Sequence, residues 1–315
     1  IATTPFTVNP LPAAITGTMN VCVGLNTTLS DATAGGTWLS SNPAMATINS
    51  ATGVAGGVAN GTVTMTYTLP TGCIATAPFT VNPLPAAITG TMNVCVGSNT
   101  TLSDVSAGGT WGSGNAAIAT IGSGTGVAGG VSGYNTVLIT YTLPTGCIAT
   151  ALLTVNPLPA AIVGTTNVCV GSNTTFTDAT SGGTWSSSNT GVATIGSTTG
   201  IAGGVPVAGG TVTITYMLPT GCIATAPLTV NPLPNTISGP TAVCVNSTIP
   251  LSDITAGGVW SSSNNAVATV DASGVVTGVA AGAVTISYSW FDGLNTIDDV
   301  QAFTVNPLPN AGSIT

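Results

Sequence analysis

The sequence predicts an all-β protein, a tandem array of β-sandwich domains of about 75 residues arranged as beads on a rod. Two observations predict this: a long internal repeat, and strand-type alternation inside each copy. The tetrapeptide Asn-Pro-Leu-Pro recurs in steps of 73, 74, 75 and 75 residues. Self-similarity at a fixed period is the signature of repeated structural units. The copies begin at Asn9, Asn82, Asn156, Asn231 and Asn306.

The repeat divides the chain into six segments. We predict four domains, at residues 9–81, 82–155, 156–230 and 231–305. Residues 1–8 match residues 74–81, so we interpret them as the last strand of a preceding repeat. Residues 306–315 match the beginning of a repeat, so we interpret them as the first strand of a following one. We therefore expect the sequence to begin and stop within an array.

Alternation of apolar and polar residues identifies the strands within each repeat. In the first repeat Val63, Met65 and Tyr67 alternate with threonines, which is typical of a half-buried strand. Other short β-prone runs are separated by turns rich in glycine, asparagine and serine, and no stretch has a helical period. Several short antiparallel strands in so few residues indicate a compact sandwich or barrel.

The Asn-Pro-Leu-Pro segments lie between the last strand of one predicted domain and the first strand of the next. Proline cannot donate a ladder hydrogen bond and favours an extended backbone. We therefore expect short, semi-rigid junctions between the repeats.

The composition excludes several classes of function. The chain has no lysine, arginine or histidine and a net charge of −8. Such a surface cannot neutralise phosphates, so we expect neither nucleic acid nor acidic membranes as partners. The usual catalytic bases and oxyanion-stabilising cations are missing, so we expect no enzyme. No apolar run reaches the ~18 residues of a membrane span, so we expect no membrane insertion.

The fourth repeat contains a long run, from Trp260-Ser-Ser-Ser-Asn to Tyr288, that resembles the group 2 bacterial immunoglobulin-like (Ig-like) domain. The other repeats resemble it more weakly, through the pentapeptides that begin at Trp38, Trp111 and Trp185. The resemblance implies a sandwich of the seven-strand type, found as repeated modules in bacterial surface proteins such as intimin- and invasin-type adhesins. It implies a stalk and no catalytic residues.

Cysteines depart from that family pattern and recur in pairs within the first three repeats. The members of a pair are separated by 51, 52 and 53 residues, which predicts one disulfide within each repeat and an oxidising compartment. Closing a loop of this size is worth about 4 kcal/mol in the chain-entropy model. Zinc is the alternative, but the chain has no histidine and no Cys-x-x-Cys motif. The predicted pairs are Cys22 with Cys73, Cys95 with Cys147, and Cys169 with Cys222.

Cys244 has no second cysteine in its repeat, because Phe291-Asp-Gly-Leu replaces Pro-Thr-Gly-Cys there. A buried thiol and an intermolecular bond are both open, and we favour the thiol.

Tryptophan and aspartate also recur once per repeat. We predict that Trp38, Trp111, Trp185 and Trp260 are core residues rather than platforms for ligand stacking. We predict that Asp31, Asp104, Asp178 and Asp253 cap turns rather than bind calcium at domain junctions. No cofactor is expected, with calcium at Asp292, Asp298 and Asp299 as a weak candidate, since Asp292-Gly293 is also a hairpin signal.

Asn-x-Thr triplets allow glycan attachment, although ordinary turn chemistry explains these asparagines equally well. The candidates are Asn26, Asn99, Asn173 and Asn246.

The favoured function is a structural component of an extracellular or cell-surface fibre, filament, stalk or sheath. Its partners would be copies of the chain or neighbouring repeats, with strand exchange between subunits as one route to assembly. The alternatives are the stalk of an adhesin, spacer repeats of a secreted hydrolase, and a threonine-rich surface that contacts glycans or ice.

Overall fold

The computed structural model describes residues 4, 6–205, 209–233, 235–291 and 296–309. It confirms an all-β fold of tandem sandwiches. The chain divides into two compact units, Ile1–Leu158 and Pro159–Thr315, and each unit contains two repeats. Among the described residues, no helix is long and apolar enough to cross a membrane.

The first unit contains sixteen strands, eight in each repeat. The strands of repeat 1 are β1 (Thr16–Gly17), β2 (Asn20–Cys22), β3 (Asn26–Ser30), β4 (Thr37–Ser40), β5 (Ala46–Ile48), β6 (Val54–Gly57), β7 (Gly61–Thr68) and β8 (Ile74–Asn82). Those of repeat 2 are β9 (Thr89–Gly90), β10 (Asn93–Cys95), β11 (Asn99–Ser103), β12 (Thr110–Ser113), β13 (Ala119–Ile121), β14 (Val127–Gly130), β15 (Asn135–Thr142) and β16 (Ile148–Asn156).

The second unit has seven described strands in each repeat. The strands of repeat 3 are β17 (Asn167–Cys169), β18 (Asn173–Thr175), β19 (Thr184–Ser187), β20 (Ala193–Ile195), β21 (Ile201–Gly204), β22 (Gly210–Met217) and β23 (Ile223–Asn231). Those of repeat 4 are β24 (Ala242–Cys244), β25 (Thr248–Pro250), β26 (Val259–Ser262), β27 (Ala268–Val270), β28 (Val275–Gly278), β29 (Gly282–Phe291) and β30 (Thr296–Asn306).

Each repeat closes its own pair of sheets. In repeat 1 the larger sheet has the order β2-β8-β7-β4 and the smaller sheet the order β1-β3-β6-β5. The long hairpin β7–β8 is the centre of the larger sheet, paired from Gly61 with Val81 to Thr68 with Ile74. Strand β2 joins the outer edge of β8 in parallel, so that Cys22 lies opposite Asn82. The other repeats keep this larger sheet, with a smaller sheet of three or four strands.

The inward side chains of β7 and β8 form the centre of the core, as the alternation predicts. Val63, Met65 and Tyr67 are buried, and so are Phe79 and Val81 of the partner strand. The threonines between them lie on the outer face of the sheet, where they are exposed or half-buried. This arrangement places a threonine-rich face on the outside of the larger sheet.

In each repeat the hydroxyl of one tyrosine forms hydrogen bonds to two backbone segments. The hydroxyl of Tyr67 donates to the carbonyl of Thr33 at 2.8 Å and accepts from the amide of Gly36 at 2.8 Å. A Cβ atom on Gly36 would lie 2.5 Å from the Tyr67 ring, so glycine is required there. The ring also stacks against Trp38, with centroids 4.7 Å apart. The equivalent tyrosines are Tyr141, Tyr216 and Tyr288.

Candidate functional site

The first cysteine of repeat 1 lies at the end of the domain that leads into repeat 2. Cys22 ends β2, opposite Asn82 at the end of β8, and the linker leaves from Asn82. A turn directly after Cys22 fixes its backbone, because the amide of Leu25 donates to the Cys22 carbonyl at 3.0 Å. Gly24 in this turn has a φ of 81°, in the left-handed region that favours glycine.

The second cysteine lies at the other end of the same sheet. Cys73 belongs to the turn between β7 and β8, where its carbonyl accepts from the amide of Leu69 at 2.9 Å. The nine residues of β8 separate it from Asn82. At ~3.3 Å per residue, Cys22 and Cys73 are about 30 Å apart along the sheet. A disulfide requires Cα atoms within ~7 Å.

The disulfide instead joins neighbouring repeats. Cys22 of repeat 1 is bonded to Cys147 of repeat 2, across 125 residues, with Cα atoms 5.7 Å apart. Cys147 lies in the β15–β16 turn, which is the end of repeat 2 nearest the incoming linker. The predicted Cys22–Cys73 and Cys95–Cys147 pairs are therefore wrong. The repeat spacing gives the right kind of bond but the wrong partners, because the two cysteines of one repeat lie at opposite ends of it.

The remaining cysteines have different surroundings. Cys95 and Cys222 are also in disulfides. Cys169 is half-buried and its interaction is not a bond to Cys222, so the predicted Cys169–Cys222 pair is also wrong. The Cys73 thiol is half-buried and lies 3.8 Å from the Asn9 carbonyl oxygen, to which it donates. Cys244 is exposed, so the expectation that it is buried is wrong, and the alternative of an intermolecular bond stays a prediction.

An apolar concavity surrounds the disulfide between repeats 1 and 2. Its volume is about 300 Å³. Leu84 of the linker, Ile148 of β16 and Val23 line it beside the two cysteines. Cys22 is 7% exposed and Cys147 is 1% exposed, so the junction covers both sulfurs. The site therefore combines a covalent bond with an apolar contact around it, and both come from the ends of neighbouring domains.

The tryptophans occupy the core positions predicted for them, but they stack on tyrosine rather than on a disulfide. Trp38 and Trp185 are buried, whereas Trp111 and Trp260 are half-buried and contact the core of their own repeats. Each forms a tilted pair with the tyrosine of its repeat, at 4.6 to 4.8 Å between ring centroids. The strand alternation predicts Tyr67 as an inward residue but not its pairing with Trp38, although in every repeat the tyrosine follows the tryptophan at a nearly constant distance.

The repeated aspartates cap turns, which confirms the prediction. Oδ1 of Asp104 accepts from the amide of Ser106 at 2.7 Å, two residues further along the chain. Asp31, Asp178 and Asp253 make the same contact in their repeats. The second carboxylate oxygen of each is buried and has no hydrogen-bond partner in the structure. The sequence contains no signal for this recurring buried oxygen.

The weak calcium candidates do not converge in the part of the chain that the structure describes. Asp298 and Asp299 are neighbours on β30, so their side chains point to opposite faces. Asp299 accepts a hydrogen bond from the amide of Ile237. Asp292 lies outside the described residues, so calcium binding stays a prediction. Residues 4, 6–205, 209–233, 235–291 and 296–309 contain no group of three or more potential metal-ligating side chains.

The asparagines proposed for glycosylation are exposed, but one of them is not equivalent to the others. Asn26, Asn99 and Asn173 each begin a strand of the smaller sheet. Asn246 instead occupies the turn position of Gly24 and has a φ of 65°. Asparagine tolerates this left-handed conformation better than most residues. Glycan attachment stays a prediction at all four positions.

Comparisons with known proteins agree with the fold. Residues 235–289 match the family model of the bacterial Ig-like domain (group 2). The fourth repeat therefore matches this family, and the other repeats share its arrangement of two sheets. The chain is 30% identical over 309 residues to Ice-binding protein 1 of Shewanella frigidimarina. That match covers 82% of the chain and 34% of the relative, so the chain spans about a third of that protein.

Two solved structures of repeat proteins are also similar. Invasin, a bacterial integrin-binding protein, matches at 16% identity with a TM-score of 0.35, over 89% of this chain and 75% of that chain. Domains 1–6 of the surface layer protein SbsC match at 16% identity with a TM-score of 0.21, over 97% of this chain and 55% of that chain.

Proposed function

We propose that the chain is a non-catalytic structural part of an extracellular fibre, filament or stalk, in which disulfides hold successive Ig-like repeats together under tension. The bond between Cys22 and Cys147 is the observation that carries this proposal. A bond inside one sandwich protects that sandwich only. A bond between neighbours prevents the two domains from being pulled apart, which is useful in a molecule that transmits force.

The position of the bond also affects the stability of both neighbours. If repeat 1 unfolds while repeat 2 stays folded, residues 22–82 remain closed into a loop by the disulfide and the linker. A loop of about 60 residues corresponds to roughly 4 kcal/mol in the chain-entropy model. The same argument applies to residues 82–147 of repeat 2. One bond therefore opposes the unfolding of two domains.

The test is to pull single chains by their ends with and without a reductant. In the oxidised chain the Cys22–Cys147 bond withholds 125 residues from extension. In a chain in which Cys95 and Cys222 are replaced by serine, so that no other disulfide contributes, reduction should therefore lengthen the fully extended chain by about 430 Å, at roughly 3.5 Å per residue. A chain with every cysteine replaced by serine is the control and should reach the longer extension under both conditions. Equal lengths with and without reductant would contradict the proposal.

The extracellular location is tested on cells that express the chain. An antibody raised against the folded repeats should label the surface of intact cells or filaments that project from it, because the disulfides require an oxidising compartment. Labelling only after the cells are opened would contradict this part of the proposal. Surface filaments and adhesin stalks are then distinguished by electron microscopy of the labelled material.

Assembly by strand exchange stays a prediction. Each repeat already contains its own last strand, β8, β16, β23 or β30, and therefore needs no donated one. Phe6 is 91% exposed, although Phe79 at the equivalent place is buried. Residues 1–8 would need an acceptor repeat that lacks a last strand, and none of the four repeats is of that kind in its described residues.

Ice binding is a second candidate function, favoured by one relative and one surface. The relative is named an ice-binding protein, and the chain corresponds to about a third of it. The outer face of the larger sheet presents a threonine row, and the hydroxyls of Thr62 and Thr80 lie 3.3 Å apart across β7 and β8. The chain should then inhibit ice recrystallisation. Replacing Thr62 with valine and Thr64 with lysine should weaken this activity. No inhibition by the intact chain would exclude the hypothesis.

A further inference from the structure

The outer face of the larger sheet differs in repeat 4 from its equivalents in the other repeats. Strand β26 begins with Val259, where the equivalent strands begin with a threonine. Val300 of β30 also replaces a threonine, because it pairs with Ser287 as Thr76 pairs with Thr66 in repeat 1. The two valines are 68% and 59% exposed. Two hydroxyl groups of this face are therefore replaced by apolar side chains in repeat 4.

The hairpin β29–β30 adds a third apolar side chain to the same face. Its strands have 10 and 11 residues, against 8 and 9 in repeat 1, and the extension carries Phe291, which is 62% exposed. Phe291 and Ser289 are two positions apart on β29, so they point to the same face. Val259 and Asp298 flank Ser289 on the two neighbouring strands. We call Val259, Phe291 and Val300, with Asp298 beside them, the lateral patch of repeat 4.

The lateral patch is exposed with the preceding repeat in place. The β29–β30 turn is equivalent to the β15–β16 turn, which is the end of repeat 2 nearest the incoming linker. The extended hairpin therefore lies at the end of repeat 4 that follows repeat 3, and the two repeats belong to one compact unit. Neighbouring exposed apolar side chains with polar residues around them are typical of a surface that contacts another molecule.

Asp298 differs from the other described aspartates in having no partner within the chain. All eight acidic residues are aspartates, and Asp292 lies outside the described residues, which leaves seven. Six of these accept hydrogen bonds from backbone amides. Asp298 accepts none within the described part of the chain, and it is exposed. Its carboxylate is therefore available to a group from another molecule.

The chemistry of that group follows from the composition of the chain. A cationic side chain cannot come from a second copy, because the chain has no lysine, arginine or histidine. Calcium needs six to eight oxygen ligands, and the described residues contain no group of three potential metal ligands. Lysine and arginine combine a charged head with an apolar stem. Such a side chain matches both the carboxylate and the apolar surface next to it.

We propose that the lateral patch of repeat 4 is a docking site for a different protein, one whose contact segment presents a lysine or arginine between apolar side chains. The cationic group pairs with Asp298, and the apolar side chains cover Val259, Phe291 and Val300. This goes beyond the proposed structural role, because it gives the array a lateral partner that contains basic residues. It does not depend on any disulfide.

The test is a methyl NMR titration of the full chain with labelled valines. The probes are three blocked peptides, acetyl-Leu-Lys-Leu-amide, acetyl-Leu-Gln-Leu-amide and acetyl-Gly-Lys-Gly-amide. We expect the Leu-Lys-Leu peptide to shift the signals of Val259 and Val300 and to bind about threefold more tightly than either other peptide, since only it offers both charge and apolar surface. The valines of repeats 1 to 3 are internal controls, and their signals should not move.

Two variants separate the charge from the apolar contact. Asp298→Asn should weaken binding of the Leu-Lys-Leu peptide about threefold and leave the Leu-Gln-Leu peptide unaffected. Val300→Thr introduces the residue found in the other repeats and should weaken both peptides about fourfold, the effect of one buried methyl group. Thr76→Val is the control in repeat 1, and it should create no preference for lysine because no carboxylate is beside it. Methyl signals outside the patch should stay unchanged in all variants, which shows that each one is folded.

Three results would overturn the proposal. The first is no shift of the Val259 and Val300 signals at about 10 mM peptide, the range of very weak binding. The second is equal affinity for the Leu-Lys-Leu and Leu-Gln-Leu peptides. The third is self-association of the chain that Val300→Thr abolishes, because a second copy would then cover the patch. The pulling experiment does not involve this face, so each of these results leaves the proposed structural role standing.

Discussion

The tyrosine hydroxyl in each repeat connects two loop segments through hydrogen bonds to backbone groups. In repeat 2, Tyr141 donates to the carbonyl of Ser106 at 2.6 Å and accepts from the amide of Gly109 at 3.0 Å. Removing the hydroxyl leaves both backbone groups without this partner in a half-buried place. Such losses cost about 1–3 kcal/mol.

Tyr141→Phe should therefore lower the free energy of local unfolding of repeat 2 by about 1–3 kcal/mol. Amide hydrogen exchange along β15 of the full chain measures this, because it reports each repeat separately. Tyr134→Phe is the matched control in the same repeat, since Tyr134 is 83% exposed. Equal effects of the two substitutions would show that the hydroxyl of Tyr141 does not stabilise the repeat.

The buried carboxylate oxygen of Asp104 has no cation near it, because the chain contains none. Asp104→Asn keeps the Oδ1 acceptor for Ser106, whereas Asp104→Ala removes it. We expect the alanine variant to lose about 1 kcal/mol of repeat 2 stability, as for a lost turn cap, and the asparagine variant to lose less. Hydrogen exchange in β11 and β12 measures both. An asparagine variant as unstable as the alanine variant would mean that a neutral Oδ1 acceptor cannot replace the carboxylate in this turn.

Asp271 is an exposed carboxylate whose pKa is lowered by hydrogen bonds from the Ser273 hydroxyl first, and then from the Val275 amide. A lowered pKa in the folded state means that these bonds stabilise the fold at neutral pH and are lost as the pH falls through that pKa. Ser273→Ala should raise the Asp271 pKa towards the ordinary value of 3.8. Carboxyl NMR titration of both proteins measures the difference, and an unchanged pKa would contradict this assignment.

At the scale of strands and turns, the second glycine of the pair that precedes each tryptophan segment has a steric role. A Cβ atom on Gly109 would lie 2.5 Å from the Tyr141 ring, too close for any side chain. Gly109→Ala should therefore displace the ring and destabilise repeat 2 by about 1–3 kcal/mol. Gly124→Ala is the control, because a Cβ there meets nothing within 4 Å. Hydrogen exchange of β15 should change only for the first substitution.

The strands themselves could be predicted because their pattern is local. Val63, Met65 and Tyr67 alternate with threonine, and the side-chain period of a strand leaves only one way to bury them. The parallel pairing of β2 with β8 could not be predicted in this way. It joins residues about 60 positions apart, and the short run Asn20–Cys22 contains no signal for its partner. That pairing is what decides at which end of the domain Cys22 lies.

At the scale of the whole molecule, the disulfide partners depend on this topology. The sequence spacing treats the two cysteines of a repeat as equivalent candidates for one bond. The sheet places Cys22 at the end of repeat 1 that leads into repeat 2, and Cys73 at the opposite end. Each cysteine can therefore form a disulfide only with a cysteine of a different neighbouring repeat. In a repeat protein a disulfide can join two repeats, because the cysteine nearest in space can belong to the next repeat. Spacing alone cannot distinguish the two cases.

This topology gives a prediction that separates the two pairing schemes. Cys22→Ser is a change in repeat 1, but it removes the loop constraint from both repeats. Local unfolding free energies should fall in repeat 1 and in repeat 2, by up to about 4 kcal/mol each. Hydrogen exchange of β7 and β15 in the full chain measures both at once. Cys244→Ser is the control and should change neither, because that thiol is exposed. An effect of Cys22→Ser confined to β7 would instead indicate a bond within repeat 1, since only the inter-repeat bond transmits the loss to β15.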